Sequence, residues 1–181
     1  AQLSASLDVV QREKIVEKFD PSLTDSYYLN GMQESVERET ALQPGKAFPD
    51  FQVFDKDGRK YTLADFRGKY LFVKFSASWC GWCKKEIPFI RKAYHALKDN
   101  NVAFVTMMMD DRKEAWLHEI KEYNIEWYCL SDLKGMKNSP LTKAYNLGGI
   151  PDSFVVDPEG RIVCRDLRGD EVLETLSTLC N

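Results

Sequence analysis

The chain has 181 residues, 44% hydrophobic and 29% charged, which fits one domain with an appendage or two very small domains. The apolar share argues against a disordered chain, and a net charge of −3, from 25 basic and 28 acidic residues, argues against a nucleic-acid or anionic-membrane binder that works by bulk charge. No apolar run approaches the ~20 residues that span a bilayer, and five cysteines are too few for a disulfide-stapled miniature, so a packed core must supply the stability.

The chain opens Ala1-Gln2-Leu3-Ser4, with neither Met nor signal peptide, which reads as a processed or trimmed start. Leu3, Leu7, Val10, Ile15, Val16 and Phe19 recur at helical spacing. Asp20-Pro21 has the chemistry of a helix start, and a second helix is expected from there to about Glu39. Leu42-Gln43-Pro44-Gly45 reads as a linker, so residues 1–45 form a helical extension or the end of an upstream domain, and 46–181 the main domain.

From Phe48 the texture is α/β. Residues 51–54 and 60–63 flank Asp55-Lys56-Asp57-Gly58 as a hairpin. Tyr70–Phe75 is a strand, Gly81–Asp99 a helix, and Val102–Met109 an apolar run suited to a central strand covered on both faces. A helix over Asp111–Tyr123, a strand over Trp127–Leu130 and a short helix from Ser139-Pro140 to Tyr145 follow. Ser153–Val156 and Arg161–Arg165 form a second hairpin, and Val172, Leu173, Leu176 and Leu179 mark a final amphipathic helix. This order predicts an α/β fold, a mixed sheet with helices on both sides.

The chemistry concentrates in Trp79-Cys80-Gly81-Trp82-Cys83. Two cysteines with two residues between them fall just past a buried strand, at the start of a helix. Unpaired N–H groups and the positive end of the helix dipole favour a thiolate there, and a C-x-x-C thiol can drop from a pKa of about 8.5 to about 7 or lower. Cys80 sits at the exposed helix tip and can attack, while Cys83 lies one turn further in and can resolve the mixed disulfide. A structural disulfide and half a zinc site are the other readings. Zinc needs about two more ligands, whereas Cys129, Cys164 and Cys180 form no second such pair and His95 and His118 lie far along the chain.

With these residues in place, the sequence over about 46–181 resembles the thioredoxin-like superfamily, and most closely its extracytoplasmic, TlpA- and cytochrome-maturation-type thiol–disulfide oxidoreductases. Four elements match in order: residues 75–83 through the cysteine motif, Pro88 in the helix, Gly149-Ile150-Pro151, and the hairpin over 154–163. The resemblance implies a thioredoxin-like fold with an N-terminal β-hairpin, and a cis bond before Pro151 that faces the cysteines. It also implies that Ile150 presents backbone groups to a substrate peptide. Trp79 and Trp82 are expected to rim the reactive sulfur.

Glu86 matches an acid of the cytochrome-maturation branch. It either takes the Cys83 proton or is an ordinary exposed glutamate. Lys74 stands where thioredoxin itself has a buried acid; it is expected either to pair with Glu86 behind the cysteines, each favouring the other's charged form, or to snorkel to solvent. Asp152, where thioredoxins usually carry Thr, either raises the thiol pKa or turns away and caps its loop, and the second is favoured. Trp116 and Trp127 read as packing, Cys129 and Cys164 as buried free thiols, Cys180 as inert, and Met107-Met108-Met109 as core filler rather than a metal site.

The expected activity is thiol–disulfide exchange, reducing protein disulfides, with no metal and no cofactor beyond the Cys80–Cys83 pair. Expected partners are protein thiol and disulfide substrates and an upstream electron donor, with no nucleic acid. By resemblance the compartment is periplasmic or otherwise extracytoplasmic, with any membrane tether confined to the precursor. A peroxiredoxin-like peroxidase is one alternative, but Val73 and Ala77 occupy the positions where that motif needs Pro and Thr or Ser. A non-catalytic binding module is the other.

Overall fold

The computed structural model describes Gln11, Lys14 and residues 27–180. The expected helix over residues 3–19 and the Asp20-Pro21 start lie outside this set, apart from Gln11 and Lys14, which are helical. The chain divides into two compact units with the boundary between Gln43 and Pro44. In the first, α1 (Tyr27–Ala41) carries an Arg38–Glu34 ion pair one turn apart.

The second unit holds a seven-stranded sheet in the order β2-β1-β5-β4-β3-β6-β7. Its elements are β1 (Val53–Phe54), β2 (Lys60–Tyr61), a 3-10 turn (Leu63–Phe66), β3 (Tyr70–Ser76), α2 (Gly81–Leu97), β4 (Val102–Met108), α3 (Lys113–Glu122), β5 (Tyr128–Ser131), α4 (Gly135–Asn138), α5 (Pro140–Ala144), β6 (Asp152–Val156), β7 (Ile162–Arg165) and α6 (Glu171–Leu179). Strands β3, β4 and β5 run parallel, while β6 and β7 return antiparallel beside β3. The Ile150–Pro151 peptide bond is cis.

The centre forms as its sequence suggests. Strands β3 and β4 are apolar on alternate positions of both faces because both faces are covered. On one face Phe72, Phe104, Trp127 and Val155 pack against Ile87, Ile90 and Ala93 of α2 and Val172 and Leu176 of α6. Trp116 of α3 packs there too, on Met108 and Cys129. On the other face Phe75, Phe154, Tyr145 and Phe48 form an aromatic cluster with ring centroids 4.9–6.2 Å apart. Tyr145 donates to the Pro49 carbonyl at 2.6 Å, which satisfies its hydroxyl in the cluster.

The N-terminal hairpin is shorter than expected. Thr62 donates from its N–H and its hydroxyl to the Asp65 carboxylate, at 2.8 and 3.0 Å, and this turns residues 63–66 into a 3-10 turn rather than a strand. Lys46 and Phe48 instead bond to β7 and the turn before it, through Ile162 N–H and the Gly160 carbonyl, which protects that sheet edge.

Replacing Phe75 by Ala removes the ring from a site with no solvent access. Denaturant unfolding is expected to show a loss of about 3–5 kcal/mol, with the same fold by circular dichroism.

Candidate active site

The end of β3 delivers the chain directly into α2, and the redox motif occupies that junction. Cys80 is the N-cap of α2, with extended backbone, and its sulfur accepts the Cys83 N–H at 3.1 Å. A sulfur therefore takes the role that a Ser or Asp oxygen usually plays at a helix start. The two sulfurs are joined, so the structure represents the oxidised protein. Cys80 keeps a small opening to solvent and its sulfur lies 3.6 Å from the Ile150 carbonyl oxygen, while Cys83 is fully buried. Trp79 and Trp82 are 62% and 71% exposed and stand on either side in sequence. The Lys85 ammonium lies 4.1 Å above the Trp82 ring.

Two residues that the sequence did not single out hold the site's loops. Asp110, buried at the end of β4, accepts the Ser78 N–H at 3.1 Å and the Ser78 hydroxyl at 2.5 Å, fixing the chain two residues before Cys80. Arg168 donates to the Pro151 carbonyl at 2.6 Å and the Leu167 carbonyl at 3.0 Å, and forms an ion pair with Asp166. Nothing local in the sequence marks these roles, since Ser78 lies 32 residues from Asp110 and Pro151 lies 17 from Arg168.

Lys74 is buried, only 3% exposed, on the face of β3 that lies under α2. Its Nζ donates to the Cys83 carbonyl at 2.8 Å. The expected Lys74–Glu86 ion pair does not form: Glu86 is half-buried and accepts the Gly169 N–H at 2.9 Å instead. The reason is competition, because the Gly169 donor meets Glu86 from the loop before α6 while the Cys83 carbonyl lies nearer to the amine. Snorkelling is excluded as well. Burial pushes the Lys74 amine from 10.5 down to about 7; Glu86 and Glu119 oppose this and Arg168 adds to it.

Asp152 faces away from this chemistry. Strand alternation sets it on the aromatic face beside Phe75, opposite to Lys74. Its carboxylate accepts from Arg165 at 2.5 and 3.2 Å and from the Ser153 N–H at 2.7 Å. An open groove of about 470 Å³ runs past Ile150, Pro151, Arg165 and Arg168. A second, of about 650 Å³, is lined by Trp79, Met109, Met136, Lys134 and Lys137.

A further acid is buried nearby. Glu119 of α3 pairs with Lys84 at 3.4 Å through one oxygen, and burial raises its pKa despite that partner. Trp116 and Trp127 are buried and donate to Cys129 Sγ and Thr106 Oγ1. Cys129, Cys164 and Cys180 are free; Cys129 is buried as expected, but Cys164 is only half-buried, because it lies on the edge strand β7. Four strand spacings separate β5 from β7, about 19 Å, so Cys129 and Cys164 are beyond disulfide reach. Burial pushes the Cys129 thiol up to about 12, which leaves it inert at neutral pH. Among the described residues no group of three or more His, Cys, Asp and Glu could hold a metal ion, and no helix is long and apolar enough to cross a membrane.

The unfolded chain holds the Lys74 proton up to about 10.5 but the folded protein only to about 7, so this group penalises folding fully below pH 7 and less as pH rises between those limits. Unfolding free energies measured from pH 6 to 10 are therefore expected to show wild type gaining stability relative to a Lys74→Met variant as pH increases. Asp110→Ala is expected to lose about 1–3 kcal/mol by the same unfolding assay, from the orphaned Ser78 donors.

Comparison with known proteins agrees with this geometry. Residues 44–165 match the model of the AhpC/TSA family. The thiol–disulfide oxidoreductase ResA of Bacillus thuringiensis subsp. konkukian is 30% identical over 139 residues, 77% of this chain and 78% of the relative. The thioredoxin domain of a thiol–disulfide oxidoreductase from Bacteroides vulgatus is 34% identical, with a TM-score of 0.72 over 77% of this chain and 99% of that one. A thiol:disulfide interchange protein from Bacteroides sp. is also 34% identical, with a TM-score of 0.71 over 78% of this chain and 92% of that one. The family match and these relatives place the protein: the chain belongs to the AhpC/TSA family and, within it, to the thioredoxin-fold thiol–disulfide oxidoreductases.

Proposed function

We propose that this oxidoreductase reduces disulfides in other proteins, with Cys80 as the attacking sulfur and Cys83 as the resolving one. The observation that carries the assignment is the asymmetry of the pair: Cys80 retains access to solvent and caps the helix, whereas Cys83 has none. In the reduced enzyme the Cys80 thiolate attacks a substrate disulfide, the substrate's second sulfur leaves as a thiolate, and a mixed disulfide forms. Cys83 then attacks the Cys80 sulfur and expels the first substrate sulfur. Two electrons pass to the substrate, and a separate dithiol donor upstream must return them.

Helix α2 lowers the energy of the attacking thiolate through its N–H groups and dipole. The Ile150 carbonyl and the groove past Pro151 suit a peptide backbone laid alongside the pair, which gives affinity with little demand on sequence. Trp79 and Trp82 form an apolar rim for the substrate. Glu86 is half-buried one turn beyond Cys83, and its part in our reading is to set the field at the resolving thiol. Asp152 braces its loop through Arg165. No cofactor beyond the cysteine pair is needed. The compartment that suits this role is the periplasm or another extracytoplasmic space, and a membrane tether would belong to a longer precursor.

A peroxidase reading draws on the AhpC/TSA match, but Val73 and Ala77 stand where that motif has Pro and Thr or Ser, and Ala77 has no hydroxyl to hydrogen-bond a peroxide.

With an oxidised protein substrate, Cys83→Ser is expected to accumulate a mixed disulfide through Cys80, seen as an adduct mass, and Cys80→Ser to accumulate none through Cys83. The reduction potential of the pair should fall toward the thioredoxin end, about −270 mV, of a range reaching about −120 mV. A value at the oxidising end, or peroxide turnover faster than disulfide turnover, would overturn the reductant assignment.

A further inference from the structure

Lys74 is a buried amine that the exchange chemistry above does not use. Groups face it from each element packed against it. From α2 come Cys83, whose carbonyl it binds at 2.8 Å, and Glu86; from α3 comes Glu119; from the segment before α6 comes Arg168. Each carboxylate is engaged elsewhere, Glu86 with the Gly169 N–H and Glu119 with Lys84. The hydroxyls beside it in the sheet are also in use: Thr106 accepts from Trp127, and Ser153 donates to the Leu167 carbonyl. The amine is therefore buried without a bonded counter-ion, and its charged form is disfavoured. Its hydrogen-bond partner belongs to the residue that must lose a proton before the mixed disulfide can be resolved.

We propose that Lys74 is the proton partner of Cys83, taking up the thiol proton as the Cys83 thiolate forms. This rests on the reading of Cys83 as the resolving sulfur. The proton moves from Cys83 Sγ to the neutral amine, which leaves a thiolate beside an ammonium. The thiolate attacks the Cys80 sulfur, so that the Cys83–Cys80 bond forms and the bond from Cys80 to the substrate sulfur breaks. The electron pair leaves on the substrate thiolate, which water protonates. Lys74 is neither oxidised nor reduced. A lysine differs here from a buried acid: proton transfer creates opposite charges that attract in a low-dielectric site. Once the disulfide has formed, the ammonium has lost its anion and burial drives the proton out again. In the oxidised protein Lys74 contacts the main chain of Cys83, and by taking the sulfur's proton it serves as the general base of the resolving step.

The test follows the alkylation of Cys83 by iodoacetamide against pH in a reduced Cys80→Ser protein, read on the Cys83 peptide by mass so that Cys129, Cys164 and Cys180 do not contribute, with and without Lys74→Met. The expected result is that Lys74→Met moves the Cys83 profile at least one unit higher, which lowers the alkylation rate at neutral pH about tenfold. An unmoved profile overturns the proposal. If the methionine variant fails to fold, the wild-type chain answers by NMR: the Lys74 Cε and Nζ resonances should titrate at different pH in the oxidised and reduced proteins, and coincident titrations overturn the proposal. Neither measurement uses a substrate. Loss of the exchange reading, by an absent mixed disulfide in Cys83→Ser, is thereby separated from loss of the Lys74 coupling.

Discussion

The hydrogen bond from the Cys83 N–H to the Cys80 sulfur sets the terms for the rest of the site. It requires that Cys80 leave the strand in an extended conformation and that α2 begin at the next residue. One sulfur then faces the opening and the other faces inward, one turn along. A residue more between strand and helix would rotate the pair by about 100° around the helix axis and turn Cys80 away from the opening it now faces. The short junction is itself held from outside: Asp110 anchors Ser78, and β3 is paired with β4 over its full length and with β6 from Leu71 to Phe75. The parallel core thus serves the chemistry by fixing where one helix starts.

The two faces of the sheet divide the work. The aromatic face carries Phe75, Phe154 and Tyr145, and the Asp152–Arg165 pair closes its upper end; the pair also holds the Tyr145 and Asn146 carbonyls through Arg165. The helical face collects the groups that matter to the cysteines: Lys74, Glu86, Glu119 and Arg168. Period-two alternation is what separates them. Asp152 and Ser153 are neighbours in sequence, yet the first braces the aromatic face and the second lies beside Lys74. An acid one residue later would have been placed against the amine.

Legibility in the sequence followed the range of the interactions. The central strands, α2 and α6 could be read because their apolar periodicity records burial on known faces, and the cysteine motif because its spacing is a local statement about one helix turn. The cis Ile150–Pro151 bond was expected through family resemblance, since spacing alone leaves an X-Pro bond trans by default. The hairpin was overextended because the Thr62–Asp65 cap overrides the alternation of residues 60–63. Helix α4 was missed: it is four residues long and enters through left-handed Leu133 and Gly135, which carry no amphipathic signal. Asp110 and Arg168 look like surface charges in one dimension. Lys74 stands out in the sequence, but its partner does not, because a carboxylate three positions past Cys83 cannot be ranked against the Cys83 backbone carbonyl without coordinates.

Arg168 links the two halves of the site. Its guanidinium holds the Pro151 carbonyl, and its charge reaches Lys74 on the other side of the same loop. The first contact turns the Pro151 carbonyl inward and leaves the preceding carbonyl, that of Ile150, facing the Cys80 sulfur. The second adds to the burial that disfavours a charge on Lys74. In the proposed reaction a cation at this position acts on both stages: it holds the main chain laid beside Cys80, and it disfavours a charge on the amine under Cys83. Its own charge is balanced by Asp166 on the solvent side, so this control does not require a second uncompensated ion in the core.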